Sequence, residues 1–200
     1  MRPRTRTISD DDILAAAAQV VARLGSADMT LADVGQEVGL APATLLQRFG
    51  SKRGLLLALA ASATHQVDRA LAQVRAELDS PVAALIAAAS MSAPSAASPA
   101  ELANHLGFVL SDIRDDAFRT HALERARRLR DGYRHLIVEA IADGELADHD
   151  AEALARAVES MATGAVLSWS IHREGDAATF VRREVTTLLR GYGRGVWART

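Results

Sequence analysis

Three features of the sequence predict an all-α protein. The apolar residues make up 49% of the chain and are mainly Ala, Leu and Val, with only 4% aromatics. Alanine runs such as Ala15 to Ala18 and Ala87 to Ala89 favour helix, because alanine loses no side-chain entropy there. Apolar residues recur every three or four positions over long stretches. The alternating runs of β-branched and aromatic residues that strands need are almost absent.

Each element can be placed in order. Ser9 is a good N-cap, and Asp10, Asp11 and Asp12 follow it where a helix dipole favours negative charge. Ile13, Leu14, Ala17, Val20, Val21 and Leu24 form one apolar face, and Gly25 is the expected stop. Thr30 caps a short second helix with Leu31, Val34 and Val38 inward, ended by Gly39. A third helix opens at Pro42, where the missing N–H costs nothing, and buries Leu45 and Phe49. Gly50 closes it. Ser51 then caps a long fourth helix carrying Leu55, Leu56, Leu59, Val67, Leu71, Val74 and Leu78. Pro81 begins a fifth helix that runs to about Met91. The uncharged Ser92 to Pro99, with two prolines, reads as a linker. Further helices are expected over about 100–110, 116–142, 148–172 and 176–196. Three short helices followed by long ones divide the chain into a head, residues 1–55, and a helical body, residues 56–200.

Composition narrows the function. Without cysteine there is no disulfide, thiolate nucleophile or thiolate-held zinc. The basic start, with Arg2, Arg4 and Arg6, runs into three aspartates and not an apolar stretch, so no secretory signal is expected. No apolar run approaches the roughly 20 residues of a membrane span, which makes the cytoplasm the default location. A net charge of −2 still permits a specific DNA binder if folding segregates the charges. His121 and His135 share a helix face but lie about 21 Å apart by helical rise, too far for one metal. No metal site or cofactor is expected.

The segment from Thr30 to Leu56 has the physics of a helix-turn-helix. Gly35 allows close approach of two helices, and Gly39 supplies a left-handed turn. With Val34, Val38, Leu40, Leu45 and Phe49 inward, Pro42, Ala43, Thr44, Gln47 and Arg48 project outward on a helix that fits a major groove. Gln47 can bond an adenine edge, and Arg48 can reach guanine or phosphate. Thr44 can donate to phosphate or touch a thymine methyl. Thr30, Ser51 and Lys52, the only lysine, stand at helix starts suited to phosphate. Arg4 and Arg6 could follow a minor groove.

Gly39, Leu40, Thr44, Leu45, Phe49, Ser51, Lys52, Leu55 and Leu56 together resemble the signature of the TetR family of repressors, and Thr30, Val34 and Gly35 also fit. The motif covers about the first quarter of the chain. Two positions depart from the family pattern: Leu46 stands where an aromatic, commonly tyrosine, is usual, and Ala41 where serine is frequent. A tyrosine contact to phosphate is therefore missing, and Arg48 is expected to take over part of it.

The resemblance implies double-stranded operator DNA as a partner, a largely apolar small-molecule effector held in the body, and a homodimer built on the last two long helices. The residues singled out for the effector are Met91, His105, Phe108, Met161 and Trp169, since soft and aromatic side chains line apolar cavities. Those singled out for the subunit interface are Leu154, Val158, Ala165, Val185, Leu188 and Tyr192, which recur on helical apolar stripes. Two other readings stay open. A non-catalytic helical adaptor with a degenerate head would show no salt-dependent DNA affinity. A small helical enzyme would need a constellation that the sequence lacks, Asp112, Asp115 and Asp116 being its nearest acidic cluster.

Overall fold

The computed structural model describes residues 8–91, 93, 100–104, 107 and 115–194. The expected linker apart from Ala93, part of the helix after it, and Arg4, Arg6, His105 and Phe108 lie outside them. The elements are α1 (Asp10–Asp28), α2 (Leu31–Val38), α3 (Pro42–Phe49), α4 (Lys52–Glu77), α5 (Pro81–Ser90), α6 (Asp116–Ala142), α7 (Ala151–His172) and α8 (Ala177–Arg190). Residues 100–104 are also helical. Among the described residues there is no strand, only an isolated bridge between Leu146 and Gly193. The all-α class holds.

Two compact units emerge. The first holds residues 1–63 and 98–122, the second residues 64–97 and 123–200. Both α4 and α6 begin in the first and end in the second.

In the first unit, local chemistry starts each short helix. Ser9 accepts from the Asp12 N–H while the Asp12 carboxylate accepts from the Ser9 N–H, a reciprocal capping box. Thr30 and Asp33 repeat the arrangement at α2. Gly25 breaks α1 as expected, at φ 82°, but one more turn follows before the chain leaves the helix. Leu24, expected on the buried face, is exposed. The core beneath comprises Ile13, Ala17, Val20, Met29, Val34, Leu45 and Leu55, all fully buried, with Phe118 from the start of α6 packed among them.

Gly35 and Gly39 set the crossing of α2 and α3. A Cβ at residue 35 would stand 2.5 Å from the Leu40 carbonyl oxygen, well inside contact distance. The Leu40 N–H donates to the Gly35 carbonyl at 2.8 Å, so two backbones meet there. Gly39 is left-handed at φ 69°, with open space around it.

The second unit has an alanine-rich core, as composition suggests: Ala84, Ala88 and Ala89 of α5, Ala140 of α6, Ala155, Ala162 and Ala165 of α7. Helix α8 packs on α7 and α5. Its first turn is capped by Asp176, which accepts from the Thr179 N–H. It stops at Arg190, so Tyr192 lies beyond the helix expected to contain it. The Tyr192 carbonyl accepts instead from the Ala147 N–H. From the same 145–147 segment, the Glu145 carboxylate accepts from the Val82 N–H and the Ser80 hydroxyl, a second cap for α5 from 63 residues away. Tyr133 of α6 is 1% exposed, and burial pushes its phenol from 10.0 up to about 12.

These contacts carry expectations for stability. Gly35→Ala is expected to lower the unfolding free energy by about 1–3 kcal/mol through overpacking, despite alanine's better helix propensity. Gly39→Ala should cost about 1–2 kcal/mol through backbone strain alone, with Gly39→Asn close to wild type. Urea titrations of the three variants distinguish the two causes. For Tyr133, the folded value lies above the unfolded one. Its contribution is therefore complete below about pH 10 and is lost as pH rises toward 12, amounting to about 2–3 kcal/mol. Urea midpoints from pH 9 to 12 should fall less steeply for Tyr133→Phe than for wild type.

Candidate nucleic-acid interface

With α2 held close by the Gly35 contact and Leu45 buried beneath, α3 turns its other face to solvent. Pro42, Ala43, Leu46 and Gln47 are exposed there, one turn apart in pairs, while Thr44 is half-buried. Pro42 opens the helix, and Ala41 at the N-cap makes no side-chain cap. Leu46 is 51% exposed, a large apolar side chain left in water.

The cations of the head lie at the surface, each bonded to a group of the chain itself. Arg48 donates to the Ile8 carbonyl at 2.8 Å and to the Asp10 carboxylate at 3.1 Å, tying the end of α3 to the start of α1. Lys52 donates to the Ala27 carbonyl at 2.6 Å. Arg23 pairs with Glu37 at 2.7 Å, bridging α1 and α2. Arg53 grips Asp115 through two nitrogens and lies 5.7 Å over the Phe118 ring. Hydrogen bonds from Arg53 hold the Asp115 carboxyl below the usual carboxylate range. Among the described residues of this unit, each arginine therefore has a carboxylate partner and Lys52 a carbonyl.

The helix starts expected to take phosphate are partly filled by the chain itself. At α2, the Asp33 carboxylate accepts from the Thr30 N–H and hydroxyl, both at 2.7 Å. Those Thr30 hydrogen bonds hold Asp33 below its ordinary value. At α4, the Ser51 hydroxyl accepts from the Gly54 N–H at 2.9 Å. What the structure brings together as a clear surface is thus Pro42, Ala43, Leu46 and Gln47. Of these, Leu46 is the residue to which the sequence pattern assigns no contact. Its position on the outward face is the signal that could have found it.

In the second unit, Leu154, Val158, Ala165 and Val185 are buried inside the chain's own core, while Leu188 and Tyr192 are half-buried. The apolar stripes thus join α7 to α8 within one chain. The large apolar side chains that α7 leaves in solvent are Leu167, 52% exposed, and Ile171, 74% exposed. Of the residues singled out for an effector, Met91 is exposed and Trp169 is buried, its indole N–H donating to the Gly175 carbonyl at 3.0 Å. Met161 lines a groove of about 350 Å³ with Gly164, Ser168, His172, Phe180 and Arg183. Among the described residues no cluster of side chains could hold a metal ion, and no helix is long and apolar enough to cross a membrane.

Comparison with known proteins agrees with this geometry. Residues 13–59 match the family model of bacterial regulatory proteins of the tetR family, and residues 109–185 match that of the tetracyclin repressor-like C-terminal domain. A TetR-family transcriptional regulator from Agrobacterium tumefaciens superposes with a TM-score of 0.72 at 26% identity, over 92% of this chain and 97% of that one. A TetR transcription regulator from Haloarcula marismortui gives 0.76 at 18% identity, over 92% and 98%. The transcriptional regulator FadR from Bacillus subtilis, solved in complex with stearoyl-CoA, gives 0.66 at 17%, over 90% and 97%. No curated protein matches the chain. The two matched spans cover more than half of the sequence, one on the helix-turn-helix head and one on the helical body, and the chain belongs to the TetR family of DNA-binding bacterial regulatory proteins.

Proposed function

We propose that the protein is a ligand-responsive transcriptional repressor that binds its operator as a homodimer and leaves it when a small molecule occupies the helical body. The observation that carries the DNA half is the outward face of α3, set by the close α2–α3 crossing, on which Pro42, Ala43, Leu46 and Gln47 are exposed. Phosphate contacts fall to Lys52, Ser51, Thr30 and Arg48, with Arg4 and Arg6 as an arm along the minor groove. Lys52 exchanges a neutral carbonyl for a phosphate, a charge-assisted bond of greater strength, while Arg48 exchanges the exposed Asp10 carboxylate for a phosphate. A DNA partner places the protein in the cytoplasm and requires no catalysis.

FadR from Bacillus subtilis was solved with stearoyl-CoA, and KstR2 of Mycobacterium tuberculosis is a ketosteroid transcriptional regulator. Both names point to molecules with a large apolar part, an acyl chain in one and a steroid skeleton in the other, in keeping with the proposed effector class. Met91, His105, Phe108, Met161 and Trp169 remain the effector residues to test. Release demands that the effector prefer the non-binding state, since equal affinity for both shifts nothing.

For the dimer, Leu167 and Ile171 of α7 are the side chains with most to gain from a second copy, and Gly164 between them and the helix start has nothing within 4 Å of an added Cβ. A glycine inside a helix costs about 1 kcal/mol relative to alanine, a cost that close approach of a partner helix would offset.

Two measurements test this reading. Fluorescence anisotropy on a duplex selected from a random library should show saturable binding. Lys52→Ala should weaken it and reduce the salt slope by about one. An unchanged slope would take Lys52 off the phosphates, and sequence-blind binding alone would favour the adaptor reading. In sedimentation velocity the wild type should run as a dimer, and Ile171→Glu with Leu167→Glu should run as a monomer with an unchanged helical circular dichroism spectrum. A double variant that stays dimeric would move the interface elsewhere.

A further inference from the structure

The outward face of α3 carries an unusual set of groups for a surface meant to meet DNA. Leu46 stands 51% exposed between Ala43, one turn before it, and Gln47, its neighbour. Pro42 completes the face. The four residues carry neither carboxylate nor cation; Arg48, exposed at the end of the helix, is paired with the Ile8 carbonyl and Asp10, and Lys52 with the Ala27 carbonyl. Bases differ in what they offer in the major groove. Guanine presents two acceptors and asks for a guanidinium or ammonium, while cytosine presents a donor and asks for a carboxylate. Adenine presents one donor and one acceptor, which suits an amide. Thymine alone presents a methyl group, which suits an apolar side chain.

We infer that this face reads an A·T-rich half-site, with Leu46 and Ala43 packed on thymine methyl groups and Gln47 bonded to an adenine edge. The inference rests on the DNA-binding reading and deepens it by naming the base class. Leu46 is the specificity-determining residue. Its side chain gains by leaving water only against another apolar surface, and the thymine methyl is the one such surface on the floor of the groove. A guanine at the same step would set a bare acceptor pair against Leu46 and leave it unsatisfied. A cytosine would do the same with its amino group, so both are rejected through desolvation.

The test works on whichever duplex the full-length protein selects from a random library. That duplex is remade with deoxyuridine for each thymidine in turn, which deletes only the C5 methyl. Affinity is expected to fall about fourfold at each contacted thymidine, the value of one buried methyl at about 0.8 kcal/mol. Leu46→Ala should weaken binding to the thymidine duplex by a similar factor and leave binding to the matching deoxyuridine duplex nearly unchanged, since the contact is then already lost. Leu46 is solvent-exposed, so the variant is expected to fold, and the deoxyuridine scan reads the contact without any variant. A selected half-site with a G·C core, or an affinity indifferent to every methyl deletion, would overturn the inference while leaving specific DNA binding intact. Equal loss on both duplexes for Leu46→Ala would also overturn it. If no sequence is enriched, the DNA-binding reading and this inference fail together.

Discussion

The Leu40 carbonyl oxygen occupies the space that a side chain at residue 35 would need. That single contact sets how near α3 comes to α2. A methyl group there would push the helices apart and open the seam where Val34 and Leu45 are fully buried. Because the backbones meet, Leu45 can point inward from the middle of an eight-residue helix, and the residues on the opposite side of the helix must point outward. The exposure of Ala43, Leu46 and Gln47 is therefore a consequence of the crossing as much as of their own character. Gly39 makes the reversal between the helices possible in a left-handed conformation that an L side chain resists.

Charge in the head adds little to its stability. Exposed ion pairs contribute about 0–1 kcal/mol each, so Arg23 with Glu37 or Arg48 with Asp10 adds little to stability. They mark where the guanidinium groups rest in the free protein. With Arg48 paired to Asp10 beside it, the exposed face of α3 between Pro42 and Gln47 is uncharged, and on the proposed reading sequence discrimination falls to shape, methyl contact and one amide. Phosphate contacts supply most of the affinity of a DNA-binding protein and little of its specificity, so a neutral reading face need not bind weakly. It does lower the sequence-blind background against which the specific contacts act.

Features that depend on neighbours within four residues could be read from the sequence. Ser9, Thr30 and Pro42 start helices by chemistry that local order determines, and Gly39 ends one for the same reason. Features that join distant segments could not. The Glu145 cap on α5, the Arg53 grip on Asp115 and the Arg48 bond to Ile8 each span 40 residues or more, and no periodicity signals them. Amphipathic stripes fall between these cases. The stripe on α7 correctly marks Leu154, Val158 and Ala165 as buried but says nothing of which surface buries them, and that surface is the chain's own core. Leu167 and Ile171 sit off the stripe, so no periodicity points to them. Gly25 shows the limit of a local rule, since a left-handed residue interrupts α1 without ending it.

The size of α3 limits what one copy can specify. Eight residues rise about 12 Å, enough to lie beside about four base pairs at 3.4 Å each. Four base pairs recur by chance about every 256 positions, and a face that reads mainly adenine and thymine distinguishes fewer alternatives still. On the proposed reading, discrimination comes from repetition, with two copies held at a spacing that only one arrangement of half-sites can satisfy. The body's exposed leucine and isoleucine on α7 acquire a reason on the same grounds. On the proposed homodimer, the weaker each copy's readout, the more the pairing of two copies has to carry, and an apolar face holds two copies together more firmly than a flexible tether would.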